Sequence, residues 1–162
     1  MSWQLQAPSS IFMIRPGAFG YNPETSASNA FQQSGNGSNG NQMDISSRAR
    51  KEFDGFSEEI RARGIEVIVF EEPENAATPD AVFPNNWISF HKDGTVILYP
   101  MMAPSRRKER RRDIIESLST IYGFKVGRVL DLSHFEIEGK YLEGTGSIIF
   151  DHINNIAYAS HS

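Results

Sequence analysis

Apolar segments and turn signals in this chain follow one another in a cycle that repeats, and the repeat limits the fold more than any single residue does. Residues 10–14 read as a short apolar strand, closed by Arg15-Pro16-Gly17. A helix follows, with Asp44 or Ser46 as its cap, Ala49, Phe53, Phe56 and Ile60 at 4, 3, 4 spacing and Gly64 as its stop. Residues 65–70 make the next strand. In the second cycle the stretch TPDAVFPNNWISF, 78–90, reads as a strand, Asp93-Gly94 as a hairpin turn and 95–99 as the returning strand. Pro104 and Ser105 then open a helix that carries Ile114, Ile115, Leu118, Ile121 and Tyr122 on one face and stops at Gly123, before a strand at 125–130. The third cycle has a strand at 141–150, a turn near Asn154-Asn155 and a return at 156–160, without the helix and closing strand. A strand, strand, helix, strand unit cannot bury its apolar face alone, so the expectation is an α/β repeat of which this is the first part.

Several function classes fall away on composition. With 162 residues and 39% hydrophobic residues the chain can bury a real core, and one domain is the expectation, 1–162. The net charge of −4 offers no general attraction to nucleic acid. There is no apolar run of about 20 residues and no signal-peptide pattern, so no membrane partner and a cytoplasmic location are expected. The chain has no cysteine, which excludes disulfides, thiolate metal sites and a thiol nucleophile of its own. The four histidines show no metal spacing, and neither a metal nor a cofactor is expected. Residues 18–43, rich in Gly, Asn, Ser and Gln, read as a flexible, lid-like loop with Asn22, Glu24 and Thr25 at its base.

Polar groups inside apolar runs carry the chemistry. Asp80, Asn85 and Asn86 interrupt the apolar stretch 78–90, and each would cost about 1–3 kcal/mol if buried without a partner. Either the protein or a ligand must satisfy them. Alternation along a strand would send Asn85 and Asn86 to opposite faces. In LEGTGSIIF, 142–150, Gly144 and Gly146 allow a ligand or a neighbouring segment to come close to Glu143. The run SRRKERRR, 105–112, is strongly basic, but Glu109, Asp113 and Glu116 are interleaved. A solvated helix face accounts for most of it, while Arg106 and Arg107, in the first turn, can fork onto a carboxylate.

Four motifs in order, MIRPGAFGYNPET at 13–25, PDAVFPNNW at 79–87, APSRRKER at 103–110 and LEGTGS at 142–147, resemble the amidinotransferase and amidinohydrolase superfamily, the pentein fold, and within it the citrulline ureidase-like branch. The resemblance implies an α/β-propeller of five strand-strand-helix-strand modules, about two and a half of them present here. It implies a C–N hydrolase in which a cysteine thiolate attacks the carbon of a guanidino or ureido group, an amine leaves and water resolves the adduct. On that pattern Glu143 steadies the catalytic histidine, Asp80, Asn85 and Asn86 contact a small amino-acid substrate, and Arg106 or Arg107 takes its α-carboxylate; Asn22, Glu24 and Thr25, at the base of the loop, are further candidates for contacts to ligand. The cysteine and histidine are expected beyond residue 162, so this chain alone is expected to be inactive, with self-association through uncovered module faces. An asparagine at Asn86 in place of a carboxylate favours a neutral ureido group, as in citrulline, over arginine. A true amidinotransferase or arginine deiminase, and a non-catalytic binding protein, are the alternatives.

Overall fold

The computed structural model describes residues 8–26, 42–73, 75–151 and 153–159 of a mixed α/β chain. It divides between Phe83 and Pro84 into two compact units. Most of the glycine- and asparagine-rich loop read from the sequence, 27–41, lies outside the described residues, as do His152 and His161.

The first unit holds β1 (Ser10–Arg15), α1 (Gln42–Ala62) and β2 (Glu66–Glu71). β1 and β2 pair in parallel with Ser10 opposite Glu66, the geometry that a helical crossover permits and a tight turn does not. Ile14, Val67 and Ile68 are buried. Arg15 ties β1 to α1 through two bonds of 2.7 Å to the Asp54 carboxylate. α1 departs from the sequence reading in two ways. It starts at Gln42, so Asp44 lies within its first turn and Ser46 further in, where the Ser46 hydroxyl donates to the Phe19 carbonyl at 3.1 Å. Of its expected inner positions Ala49, Phe53 and Ile60 are half-buried, but Phe56 is 59% exposed while the neighbouring Ser57 is 3% exposed. Ser57 is tolerated there because its hydroxyl bonds back to the Asp54 carbonyl at 2.9 Å.

The second unit contains β3 (Ile88–Phe90), β4 (Thr95–Leu98), α2 (Pro104–Arg107), α3 (Arg112–Thr120) and β5 (Arg128–Asp131), followed by α4 (Gly144–Ser147), β6 (Ile148–Asp151) and β7 (Ile156–Ala159). β3 and β4 are antiparallel, β4 and β5 parallel, and the three form one sheet in the order of the chain. The Asp93-Gly94 turn closes the hairpin as expected. The Asp93 carboxylate accepts from the Thr95 amide and hydroxyl, bonds that hold it below the usual carboxylate range. β6 and β7 form a second hairpin around Asn154-Asn155, with Asn155 in the left-handed region at φ 56°. α3 buries Ile114, Ile115 and Leu118, each contributing about 1.5–3 kcal/mol, beside a core of Trp87, Val96, Tyr99 and Met101. Burial pushes the Tyr99 phenol up, although its hydroxyl has Ser89 as partner at 2.8 Å.

Several expected boundaries move in this unit. The apolar stretch 78–90 is a strand only from Ile88, since residues 78–83 form turns and Pro84–Asn86 a 3₁₀ turn. The expected helix from Pro104 to Gly123 is two helices with a break at 108–111, where Glu109 turns into the interior and Arg110 reaches away to Glu136. Ile121 and Tyr122, expected on its apolar face, lie beyond α3 and are exposed. The expected strand at 141–150 begins only at Ile148, because α4 occupies the glycine-rich part. β5 starts at Arg128 and not at 125.

Candidate functional site

Asp80 sits in a turn of the first unit and is buried, yet it is not orphaned. Asn22 donates through Nδ2 to Asp80 Oδ2 at 2.7 Å, and the Thr25 hydroxyl donates to the same oxygen at 3.3 Å. Asn22 is itself 1% exposed, and its Oδ1 accepts from the Glu24 amide at 3.1 Å. That bond folds 22–25 into an Asx turn, which the Thr25 amide closes on the Asn22 carbonyl. Three residues expected near a ligand thus form one cluster with Asp80. The protein satisfies at least one oxygen of the carboxylate, while Glu24 lends its backbone and keeps its side chain exposed.

The other candidates lie in the second unit. Asn85 and Asn86 share the 3₁₀ turn, so strand alternation does not apply, and their side chains meet: Asn85 Nδ2 donates to Asn86 Oδ1 at 2.9 Å. The same nitrogen donates to Thr145 Oγ1 at 3.1 Å. The segment that Gly144 and Gly146 admit is therefore this turn. A Cβ on Gly144, which has φ +39°, would lie 2.2 Å from the Asn85 carbonyl oxygen, and one on Gly146 would lie 2.9 Å from Asn86 Oδ1.

Glu143 precedes α4 and faces both a backbone amide and a guanidinium. Its Oε1 accepts from the Met102 amide at 3.1 Å, and Oε2 accepts from Arg106 Nη1 at 3.4 Å. Arg106 is not on a solvated face. Its side chain is 6% exposed and that of Glu109 is 1% exposed, joined through Nε–Oε1 at 3.2 Å and Nη2–Oε2 at 3.1 Å. Arg107 donates Nε to the Met101 carbonyl at 2.9 Å and Nη2 to the Met102 carbonyl at 3.1 Å, and lies 3.4 Å from Glu136. Glu136 also accepts from the Met101 amide and from Arg110. Three of the six basic residues, Arg106, Arg107 and Arg110, are thus held inward by carboxylates and carbonyls, whereas Lys108 and Arg112 are exposed, so of the residues expected on a solvated face Arg110 departs from it and these two keep to it.

Sequence reasoning missed Glu109, Glu136 and Thr145. Glu109 was legible in principle, three residues after Arg106 at the spacing of helical ion pairs. Glu136 carries no local signal, since its arginines lie 26 and 29 residues earlier in the chain. Among the described residues no group of three or more His, Cys, Asp or Glu is placed to hold a metal, and no helix is long and apolar enough to cross a membrane. A cavity of about 530 Å³ lies beside α3 and β5, lined by Leu98, Ile115, Val126 and Val129 together with Arg112 and Asp131. A smaller one of about 220 Å³ includes Arg107.

One family model matches most of the chain. The model described as N,N dimethylarginine dimethylhydrolase, eukaryotic, matches residues 15–162. No curated protein matches the sequence. Among solved structures, ArgZ in its apo form, an arginine dihydrolase from the ornithine-ammonia cycle in cyanobacteria, aligns with a TM-score of 0.61 at 20% identity over 94% of this chain and 20% of that one. The N-terminal domain of ArgZ bound to substrate aligns at 0.60 and 18% identity, over 93% of this chain and 48% of that one. A binary complex of an AgrE mutant with L-arginine aligns at 0.59 and 18% identity, over 93% and 19%. The chain spans about a fifth of the full-length neighbours and about half of the isolated domain, and at these identities the likeness speaks for the fold. The match over 15–162 shows the family: the chain belongs to the N,N dimethylarginine dimethylhydrolase family and, with it, to the pentein superfamily.

Proposed function

We propose that this chain is part of a pentein hydrolase that cleaves a C–N bond in the guanidino or ureido group of an arginine- or citrulline-like amino acid. The observation that carries the reading is the family match across 15–162, which takes in all the candidate site residues. Supporting it, a hydrolase of methylated arginine is what the family's description names, and a structural neighbour was solved with L-arginine. The fold belongs to the same proposal: the β3-β4-β5 sheet with its helices is one module of a five-module propeller, and 1–162 is the N-terminal part of one domain.

In this reading a thiolate supplied from outside these residues adds to the central carbon, the C–N bond breaks, the departing amine takes a proton from a histidine that Glu143 orients, and water then breaks the C–S bond and returns the thiolate. Glu143 is suited to orienting because two fixed donors, the Met102 amide and Arg106, already hold it. Asp80, steadied by Asn22 and Thr25, offers a carboxylate to substrate nitrogens. Arg107 is better placed than Arg106 for a substrate carboxylate, since its Nη1 has no hydrogen-bond partner among the described residues and its side chain is 31% exposed.

The test is turnover by the complete reading frame, with arginine, N,N-dimethylarginine and citrulline offered separately. Release of dimethylamine or ammonia, lost in Glu143→Gln and Asp80→Asn, is the expected result. A folded complete protein that releases neither from any of the three overturns the reading. Products bearing the amidino group on an added amine acceptor would point to the transferase alternative.

A further inference from the structure

Asn86 is the residue whose chemistry would distinguish a ureido from a guanidino group, and its amide is asymmetrically engaged. Asn85 Nδ2 spends one N–H on Asn86 Oδ1 at 2.9 Å and the other on Thr145 Oγ1 at 3.1 Å. The Thr145 hydroxyl is aimed at the Asn85 carbonyl at 3.5 Å, which leaves its lone pair for Asn85 Nδ2. Gly146 lies against the Asn86 amide so closely that a Cβ there would be 2.9 Å from Oδ1 and 3.1 Å from Nδ2. Oδ1 accepts from Asn85, while the Asn86 group without a partner among the described residues is Nδ2, which offers two N–H donors. A guanidinium carries only N–H donors, whereas a ureido group carries a carbonyl acceptor.

We infer that Asn85 and Thr145 are positioning residues that hold the Asn86 amide with its NH₂ outward, so that Asn86 selects a ligand carbonyl oxygen and disfavours a guanidinium. Gly146 keeps the space in which that orientation fits. The selection step rests on the proposed function, in which Asn86 meets the reacting group, but the orientation does not.

Two readouts keep the two apart. In the ligand-free complete protein, exchange of side-chain NH₂ protons with water, followed by ¹⁵N NMR, should be slower for Asn85 than for Asn86. Thr145→Val should speed the Asn85 exchange and Thr145→Ser should not. Equal exchange at both asparagines, or the slower exchange at Asn86, overturns the orientation. Asn85→Asp then places a carboxylate where the Asn85 amide donated. It accepts from Asn86 Nδ2, turns that amide around and leaves Oδ1 outward. The ratio of kcat/KM for citrulline over arginine should fall about tenfold, the weight of one hydrogen bond, while Thr145→Ser leaves the ratio unchanged. Slow Asn85 exchange with an unmoved ratio overturns the selectivity step and places Asn86 away from the reacting group. Absence of turnover on every substrate counts against the proposed function and leaves the exchange result to decide the orientation.

Discussion

Replacing Glu109 by glutamine should destabilise the second unit by about 2–3 kcal/mol, and the figure can be worked from the geometry. Glu109 and Arg106 are almost wholly buried and share two charge-assisted bonds of 3.1 and 3.2 Å. Breaking a buried pair by removing one partner costs about 3–5 kcal/mol, because a charge is left in a poor solvent. Two features reduce that figure. Glutamine keeps one acceptor oxygen for the fork, and Arg106 Nη1 retains Glu143 at 3.4 Å. Removing both charges is a different perturbation, since it also removes the cost of burying them. The double variant Arg106→Met with Glu109→Leu should therefore lie within about 1 kcal/mol of the parent. Urea unfolding of the parent, both single variants and the double variant, with the m-value monitored, gives the coupling free energy. A Glu109→Gln variant within about 0.5 kcal/mol of the parent, or a double variant as unstable as the sum of the singles, would refute the claim that this pair is a closed buried unit.

Three further outcomes can be measured. Asp54 is held below the usual carboxylate range by its bond from Arg15, so its contribution is present above the unfolded value and lost as pH falls through the folded one. With Asp54 half exposed that contribution is under about 1 kcal/mol, and Arg15→Gln should flatten this part of the urea midpoint as pH falls below about 5. Gly144→Ala should cost more than Gly146→Ala by at least about 1 kcal/mol, because its clash at 2.2 Å is with backbone and its φ is positive, while the Asn86 side chain can move; equal melting temperatures would contradict this. Ile149, Ile153 and Tyr158 expose an apolar face on and around the β6-β7 hairpin, and sedimentation of the 162-residue chain should show association that Ile149→Lys reduces. An unchanged distribution would locate the contact elsewhere.

What could be read in advance was what adjacent residues decide. The turn at Asp93-Gly94 needs only its own backbone and one carboxylate, and the hairpin appears where the dipeptide predicts it. Apolar spacing placed Ile114, Ile115 and Leu118 correctly but failed at Phe56, because bonds from Arg15 to the neighbouring Asp54 orient α1 as much as apolar contact does. The break between α2 and α3 was invisible for the same reason: residues 105–112 have good helix formers, and the partners that take up Arg106 and Arg110 at the break include Glu136 and Glu143, both distant in sequence. At the candidate site the residue types were legible and the pairings were not. Asn22 and Asp80 are 58 positions apart, and Asn85 and Thr145 are 60 apart. Nothing local distinguishes an amide that meets another amide from one that meets a ligand.

The inward bonds of Arg106 and Arg107 also bear on which arginine can serve a substrate. A ligand carboxylate arriving at Arg106 would compete with Glu109 and Glu143 for a guanidinium already committed to both, and it would bring a third negative charge beside them. At Arg107 the competition is milder. Two of its nitrogens serve neutral carbonyls, Nη1 remains, and the nearest carboxylate, Glu136, is also held by Arg110. Under the proposed function, Arg107→Gln in the complete protein should therefore raise KM for the amino-acid substrate about ten- to hundredfold, as expected for one lost charge-assisted contact, with kcat little changed and with no penalty on the analogue that lacks the α-carboxylate. Arg106→Gln should instead lower stability and kcat, for both substrate and analogue, by freeing Glu143. If Arg106→Gln alone discriminated between the α-carboxylate substrate and its analogue, the buried cluster would have to open on binding, and the assignment of Arg107 would be wrong.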